Sequence, residues 1–194
     1  MYWRKLTMAQ QFPELSEELA QWVADQKIFF TATAAPNARI NLSPREGSAL
    51  RVLGPNSVAY LDKTGSGNET AAHLKADGRM TIMLCSVEGP PRILRLYGKG
   101  RVIHRDSAEY AEILLGYFGG NAPPGARQII HLDFDIAQTS CGFGVPLFAF
   151  ERERDVLVRW AAGKGEDGIS AYWAEKNQKS IDGLPTGILD APLE

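Results

Sequence analysis

The chain has 194 residues and a formal net charge of −2, from 21 lysines and arginines against 23 aspartates and glutamates. Because neither sign dominates, the composition does not indicate the positive surface of a nucleic-acid-binding protein. Hydrophobic residues make up 44% of the chain, which excludes disorder over most of its length. No run approaches the roughly 20 apolar residues of a membrane-spanning helix, so we expect no membrane partner.

Length and cysteine content predict how the chain is organised. We expect a single domain over residues 1–194, with a helical and irregular C-terminal extension from about residue 151. The N-terminal segment lacks the apolar core of a secretory signal, and the two cysteines, Cys85 and Cys141, form no close pair. We therefore expect a cytoplasmic protein with reduced thiols.

The first elements predicted along the chain are a helix and a β-hairpin. The helix begins after Ser16, a residue type that caps helix N-termini, and carries apolar residues at helical spacing. Residues 28–34 and 39–43 are predicted strands, joined by a turn at Pro36-Asn37. We expect Pro44 to end the second strand, because proline has no N–H to donate to a neighbouring strand.

The next predicted strand, residues 57–61, leads into a glycine-rich loop and a short helix over residues 67–76. Ser66 and Glu69 have the spacing of a capping box. Gly78 is expected to end this helix in a left-handed conformation.

The rest of the chain predicts two strands, a helix, a long strand and two helices, at residues 80–86, 92–105, 107–118, 127–139, 153–162 and 170–178. Gly98 and Gly100 in the second of these strands predict a bulge of the kind that bends barrel strands. Because strand follows strand with only short helices between them, the pattern predicts a mainly β, antiparallel barrel of about six strands. A doubly wound sheet would require regular alternation with longer helices.

The loop from Gly65 to Thr70 is the most informative motif. Backbone N–H groups at the start of the following helix, together with the helix dipole, are typical of an anion site. The loop also imitates the dinucleotide fingerprint G-x-G-x-x-G, with Thr70 at the third glycine and Glu88 near the expected acidic position. A capped helix after a glycine turn explains the same residues without any ligand.

Arg45, Arg95 and Cys141 are the other candidates. Arg45 follows a strand, where it either clamps a phosphate or carboxylate or is simply solvated. Arg95 lies between apolar neighbours in mid-strand and needs a partner, which is a carboxylate, a second subunit or a ligand anion. Cys141 lies in a glycine-rich turn that favours either a reactive thiol or only a tight turn. The three histidines have no ligand-spaced companion, so we expect no metal site.

Three segments together resemble the pyridoxamine 5′-phosphate oxidase-like proteins, the flavin-binding split-barrel family: IFFTATAAPNARINLSPREG, VAYLDKTGSGNETAAHLKADGRMTIMLC and GPPRILRLYGKGRVI. Two later segments, ARQIIHLDFDIAQTSCGFGVP and AEKNQKSIDGLP, resemble an uncharacterised branch of that family. The resemblance covers about residues 15–185. It implies a six-stranded antiparallel split barrel that forms a homodimer, with FMN in two equivalent clefts at the subunit interface.

The resemblance also implies which residues lie near the flavin. They belong to the second strand, the end of the third strand, the loop after it, the long strand and a late loop of the same or the second subunit: Asn41, Ser43, Arg45, Tyr60, Leu61, Asp62, Thr64, Ser66, Asn68, Thr70, Arg95, Cys141 and Gly142. Where the oxidases carry a Ser-Arg-Lys cluster for the FMN phosphate, this chain has Ser66-Gly67-Asn68-Glu69. The oxidases' C-terminal Arg-x-His motif is not recognisable either, which argues against vitamin B6 oxidation itself.

Two classes of function follow from the resemblance. One is an FMN-dependent oxidoreductase acting on a small molecule, in which the flavin supplies the redox chemistry. The other is a non-catalytic protein on the same barrel that binds a flavin, a deazaflavin, haem or a small anion. A third hypothesis is a barrel that has lost ligand binding altogether.

Overall fold

The computed structural model describes residues 9–190. Eight strands form within this range: β1 (Gln10–Phe12), β2 (Ile28–Thr33), β3 (Asn41–Glu46), β4 (Leu50–Gly54), β5 (Ser57–Lys63), β6 (Arg79–Cys85), β7 (Ile93–His104) and β8 (Ala126–Ser140). The helices of this range are α1 (Glu17–Asp25), α2 (Glu69–Ala76), α3 (Ala108–Tyr117) and α4 (Val156–Lys176). Among these described helices, none is long and apolar enough to cross a membrane.

The strands form one curled antiparallel sheet in the order β3-β2-β6-β7-β8-β5-β4, with β1 paired to β8. The predicted antiparallel split-barrel class is therefore confirmed. The predicted number of strands is wrong, because the sheet has eight strands rather than six. Two short strands account for the difference: β1 has three residues, and β4 follows β3 after a single 3-10 turn at Gly47–Ala49.

Both faces of β5 are buried, so other elements pack against the sheet on each side of this strand. On β5, Val58 and Tyr60 point into the main core with residues of α1, β2, β6, β7 and β8. Ala59 and Leu61 alternate with them and pack under α3 with Ile113. A third cluster, around Ala161, Ile169, Trp173 and Ile188, packs the C-terminal extension together.

Two local predictions need correction. Pro44 does not end its strand but lies inside β3 opposite Phe30. This is tolerated because β3 is an edge strand of the sheet. Helix α2 begins at Glu69 with Asn68 as its N-cap, two residues later than predicted and without a capping box from Ser66. The two predicted C-terminal helices are both present, because the span α4 consists of two helical segments on either side of Gly165, whose φ of 66° is not helical.

Other local predictions are confirmed. Ser16 caps α1 by accepting a hydrogen bond from the Leu19 N–H at 3.3 Å. Gly78 has φ 82° at the end of α2. The register of β7 against β8 shifts between Tyr97 and Gly98. A β-carbon at Gly98 would lie 2.0 Å from the Asp133 carbonyl oxygen, so the close approach of the two backbones requires glycine there.

Candidate functional site

A cleft of about 650 Å³ opens between the edge strand β3, the loop that leads into α2, and the C-terminal extension. We call it the β3–α2 cleft. It is lined by Asn41, Ser43, Pro44, Arg45, Gly65, Ser66, Gly67, Glu69, Thr70, Arg127, Lys176, Lys179, Ser180 and Ile181. Five of these residues were predicted site residues: Asn41, Ser43, Arg45, Ser66 and Thr70. Segments far apart in sequence therefore converge on one cavity.

The β3 wall of the cleft results from strand alternation. Asn41, Ser43 and Arg45 share one face of the strand and all line the cleft, whereas Leu42 between them is 65% exposed. The Asn41 amide donates hydrogen bonds to Thr33 Oγ1 and Thr70 Oγ1, each at 3.1 Å. The Ser43 hydroxyl donates to Asn41 Oδ1 at 3.0 Å. These bonds tie the edge strand to the first turn of α2.

Beneath the cleft lies a buried polar network that we call the floor, centred on Asp62. Arg127 Nε and Gln128 Nε2 donate to Asp62 Oδ2 at 2.7 and 2.8 Å. Arg45 Nη2 forms an ion pair with Asp62 Oδ1 at 3.2 Å. The side chain of Asp62 is 1% exposed, whereas that of Arg45 is 22% exposed because it reaches the cleft. One carboxylate thus faces two guanidinium groups.

The charges of the floor decide the protonation of Asp62. Its burial is the largest single influence and would by itself raise the carboxyl pKa. The Arg127 and Arg45 guanidinium groups and the donated hydrogen bonds together outweigh burial, so the pKa of Asp62 lies below its usual value. Asp62 is therefore ionised at neutral pH and neutralises part of the positive charge beneath the cleft.

The floor also holds the loop and the extension in place. Arg127 Nη1 donates to the Gly67 carbonyl and to Asn177 Oδ1, both at 3.0 Å. Gln128 Nε2 donates to Asn68 Oδ1 at 2.9 Å. Arg127 is only 3% exposed but borders the cleft, so it holds the loop and the extension together from beneath the cleft.

Thr64 has a structural role and does not line the cleft. It is fully buried, and its hydroxyl donates to the Gly125 carbonyl at 2.7 Å. The same oxygen accepts a hydrogen bond from Trp173 Nε1 at 2.7 Å. The predicted site residue Thr64 therefore anchors α4 to the end of β5.

Tyr60 and Leu61 are also buried, in the two cores on opposite faces of β5. The Tyr60 ring lies 5.5 Å from the Arg45 guanidinium and 5.4 Å from the Phe29 ring. Burial, only partly opposed by the charge of Arg45, raises the pKa of Tyr60 to about 12. Tyr60 is therefore a neutral phenol at physiological pH, and its ring packs against the Arg45 guanidinium.

The site contains donors without an internal partner. Arg45 Nε and Asn68 Nδ2 are buried atoms with no hydrogen-bond partner among the described residues. Both groups only donate, so the partner that each requires is an acceptor, such as a carbonyl oxygen, a ring nitrogen or a phosphate oxygen. A flavin nucleotide carries all three kinds of acceptor, so Arg45, which lines the cleft, fits such a ligand, whereas Asn68 lies outside the cleft lining.

Arg95, Cys141 and Gly142 lie elsewhere in the protomer. Arg95 Nη1 donates to Ser140 Oγ at 3.2 Å, at the far end of β8. Cys141 is an exposed free thiol in a second cavity, beside Arg92 and β1. Gly142 has φ 69°, and a β-carbon there would lie 2.8 Å from the Arg92 amide nitrogen. The structure groups these three with one another but not with the cleft of the same protomer, and their role at a flavin stays a prediction.

Sequence reasoning missed three cations of the cleft: Arg127, Lys176 and Lys179. Arg127 lies near the start of an apolar strand. A buried cation needs a partner, and this argument, which was applied to Arg95, applies equally to Arg127. Lys176 ends α4, and Lys179 follows in an extension predicted to be partly irregular. No sequence signal connected that extension with the loop at residues 65–70.

The structure also assembles a Ser–His–Asp set outside the cleft. Ser57 Oγ lies 2.8 Å from His131 Nε2, and Asp133 Oδ2 lies 3.5 Å from His131 Nδ1. Asp133 is 68% exposed, so the set lacks the buried, orienting carboxylate of a hydrolytic triad. It occupies the β5 and β8 face opposite to Asp62 and contributes nothing to the cleft.

Comparisons with known proteins give matches that carry the same family description. A family model described as pyridoxamine 5′-phosphate oxidase matches residues 15–141. A pyridoxamine 5′-phosphate oxidase family protein of Aspergillus flavus, ustO, is 37% identical over 195 aligned positions, which cover 90% of this chain and 76% of that protein. A crystal structure of a candidate pyridoxamine 5′-phosphate oxidase from Lactobacillus delbrueckii has a TM-score of 0.52 at 19% identity, covering 68% of this chain and 98% of that one.

Proposed function

The chain belongs to the pyridoxamine 5′-phosphate oxidase family, and on that premise we propose that it is an FMN-binding oxidoreductase that acts on a small molecule. The observation that carries the proposal is the convergence of Asn41, Ser43, Arg45, Ser66 and Thr70 on one positively charged cleft. These are residues that the family resemblance implies for the flavin, although they come from two separate segments of the chain.

The residues around the cleft divide into three roles under this proposal. Arg45, with its unpaired Nε, donates to an acceptor atom of the ligand and keeps positive charge next to it. Asn41 and Ser43 present amide and hydroxyl groups from β3. Asp62 and Tyr60 hold the Arg45 side chain from below, through the ion pair at 3.2 Å and the ring contact at 5.5 Å.

Bound FMN would supply hydride and electron transfer, while the protein supplies binding, orientation and electrostatics. Positive charge from Arg45 and Arg127 favours a ligand that is anionic or gains negative charge. Tyr60 keeps its proton at neutral pH because its pKa is raised to about 12, so it does not serve as a base. The flavin would thus perform the redox chemistry while the protein binds and orients it, which fits a cleft whose lining has no histidine or cysteine.

We further propose a homodimer with ligand sites at the subunit interface. Ile40, just before the edge strand β3, and Leu42, within it, are 79% and 65% exposed, and neighbouring exposed apolar side chains at a strand edge mark a surface that a partner can cover. In such a dimer, Arg95, Cys141 and Gly142 of one subunit would lie near the cleft of the other subunit. Light scattering coupled to size-exclusion chromatography tests this proposal: twice the monomer mass supports it, and a monomer contradicts it.

The binding proposal is tested by the visible absorption spectrum of freshly purified protein, recorded again after addition of FMN and desalting. We expect the bands of oxidised flavin to remain with the protein after desalting. A protein that stays colourless contradicts FMN binding. Parallel additions of haem and of a deazaflavin then identify which alternative ligand the same barrel retains.

Catalysis is separated from storage or transport by a second experiment. The FMN-loaded protein is mixed anaerobically with NADH or NADPH, and bleaching of the flavin is followed with time. We expect reduction, followed by reoxidation when an electron acceptor is added. A protein that retains FMN but is neither reduced nor reoxidised supports the alternative, a non-catalytic flavin-binding protein.

A further inference from the structure

The loop that would be expected to hold a phosphate contributes no cation of its own. Its residues are Gly65, Ser66, Gly67, Asn68, Glu69 and Thr70, with no lysine or arginine among them. Glu69 lines the cleft and adds a negative charge. If the proposed FMN binds in this cleft, the charge that balances its phosphate must come from another part of the chain.

The C-terminal extension brings that charge to the loop. Lys176 and Lys179 line the same cleft as Ser66 and Gly67. Together with Arg45 and Arg127 they give the lining four cations against the single carboxylate of Glu69. Arg45 and Arg127 are already paired with Asp62, so the two lysines supply most of the uncompensated positive charge.

The extension is fixed against the loop by several hydrogen bonds. Asn177, fully buried between the two lysines, donates from Nδ2 to the Gly65 carbonyl at 3.1 Å and accepts from Arg127 Nη1 at 3.0 Å. The Ile181 N–H donates to Glu69 Oε1 at 2.9 Å, which engages the one carboxylate of the cleft lining. The backbone that carries both lysines is therefore held in place before any ligand arrives.

The lysine side chains themselves are available to a ligand. Lys176 pairs with Glu175 at 2.7 Å, but the two side chains are 51% and 67% exposed, so the pair is solvent-screened and weak. Lys179 is exposed. Long, flexible ammonium side chains are suited to phosphate as point charges.

We propose that Lys176 and Lys179, carried by the C-terminal extension, bind the terminal phosphate of the flavin nucleotide in the β3–α2 cleft. This inference rests on the proposed FMN binding and adds to it: the phosphate is recognised by the extension rather than by cations of the loop. FMN should therefore bind more tightly than riboflavin, which has the same ring system but no phosphate.

The test compares two ligands and a set of variants of the full chain, freed of any bound flavin. Dissociation constants for FMN and for riboflavin are measured by flavin fluorescence for the wild type, Lys176→Gln, Lys179→Gln and the double variant. Lys99→Gln is the matched control, because it removes the same charge from a 68% exposed lysine outside the cleft lining. Lys179→Arg tests whether another cation restores binding.

We expect FMN affinity to fall by about 10- to 100-fold in the double variant, as for the loss of charge-assisted hydrogen bonds, while riboflavin affinity changes by less than about twofold. Lys99→Gln should bind both ligands as the wild type does, and Lys179→Arg should keep the preference for FMN. Thermal unfolding of each variant confirms that the fold is intact.

Two outcomes overturn the inference, and they differ in what they say of the proposed function. If FMN and riboflavin both bind but the double variant keeps the wild-type ratio of affinities, the lysines do not hold the phosphate and the flavin site stands. If the wild type binds neither ligand, the FMN proposal fails together with the inference.

Discussion

The floor and the rim of the β3–α2 cleft use similar residue types for different purposes. The floor, around Asp62, Arg127 and Gln128, is at most 3% exposed, and its charged groups are paired with one another within the protein. The rim, with Ser43, Lys176 and Lys179, has polar groups that face the cleft or the solvent. Ion pairs on the floor therefore hold the fold, whereas cations on the rim remain available to bind.

This difference leads to opposite consequences for substitutions. Removal of a floor residue leaves its partner buried without compensation, which destabilises the fold. Removal of a rim residue exposes nothing new and should affect binding alone. Arg45 belongs to both regions, because it pairs with Asp62 and also lines the cleft.

The largest effect is expected for Arg127→Met. The substitution removes a buried partner of Asp62 and the hydrogen bonds to Gly67 and Asn177. The free energy of unfolding should fall by about 3–5 kcal/mol, as for other broken buried ion pairs. It is measured by urea denaturation.

Arg101→Met is the matched control for Arg127→Met. Arg101 pairs with Glu109 on the surface, with side chains 47% and 44% exposed. Its removal should cost less than about 1 kcal/mol. Equal losses in the two variants would show that the floor ion pair contributes no more than a surface pair.

The floor should also respond to acid through Asp62. Because its pKa is lower in the folded protein than the ordinary value of 3.8, the ionised carboxylate stabilises the fold above that value, and this contribution is lost as the pH falls toward the folded-state pKa. Asp62→Asn should be less stable than the wild type at pH 7. The gap between their free energies of unfolding, measured in urea, should narrow below about pH 4. A difference in free energy of unfolding that stays constant with pH would contradict the lowered pKa of Asp62 in the folded protein.

A smaller effect is expected for Trp173→Phe, at the contact between the extension and β5. The substitution removes the hydrogen bond from Trp173 Nε1 to Thr64 Oγ1 and leaves part of a buried space empty. It should reduce the free energy of unfolding by about 1–3 kcal/mol. Trp160→Phe is the control, because Trp160 packs edge-to-face against Tyr172 and both rings are only partly buried. A Trp160 variant that loses more would contradict the anchoring role of Trp173.

The smallest effect on stability is expected at the rim. Lys179→Gln removes an exposed charge and should change the free energy of unfolding by less than about 0.5 kcal/mol. The same urea measurement checks this value. A loss comparable with that of Trp173→Phe would mean that Lys179 belongs to the structural floor.

Sequence patterns predicted the class of fold because β-strand composition and turn residues are local signals. The family resemblance also predicted that residues of β3 and of the loop before α2 belong to one site, and in the structure both segments line one cleft. Pro44 was misjudged because only the sheet order reveals that β3 is an edge strand. The position of Lys176 and Lys179 at the cleft could not be predicted from the sequence. It depends on hydrogen bonds of Asn177 with Gly65 and Arg127, which are both more than 45 residues away from Asn177 in the chain.

The central claim is that the β3–α2 cleft binds FMN, and a steric block tests it most directly. Ser43→Trp places a large side chain in the cleft, whereas Gly116→Trp places the same side chain on α3, where a new β-carbon meets nothing within 4 Å. Equilibrium dialysis with FMN gives the dissociation constants. We predict that Ser43→Trp weakens binding by more than about tenfold, or 1.4 kcal/mol, and that Gly116→Trp matches the wild type. Unchanged binding in a folded Ser43→Trp variant would contradict the claim.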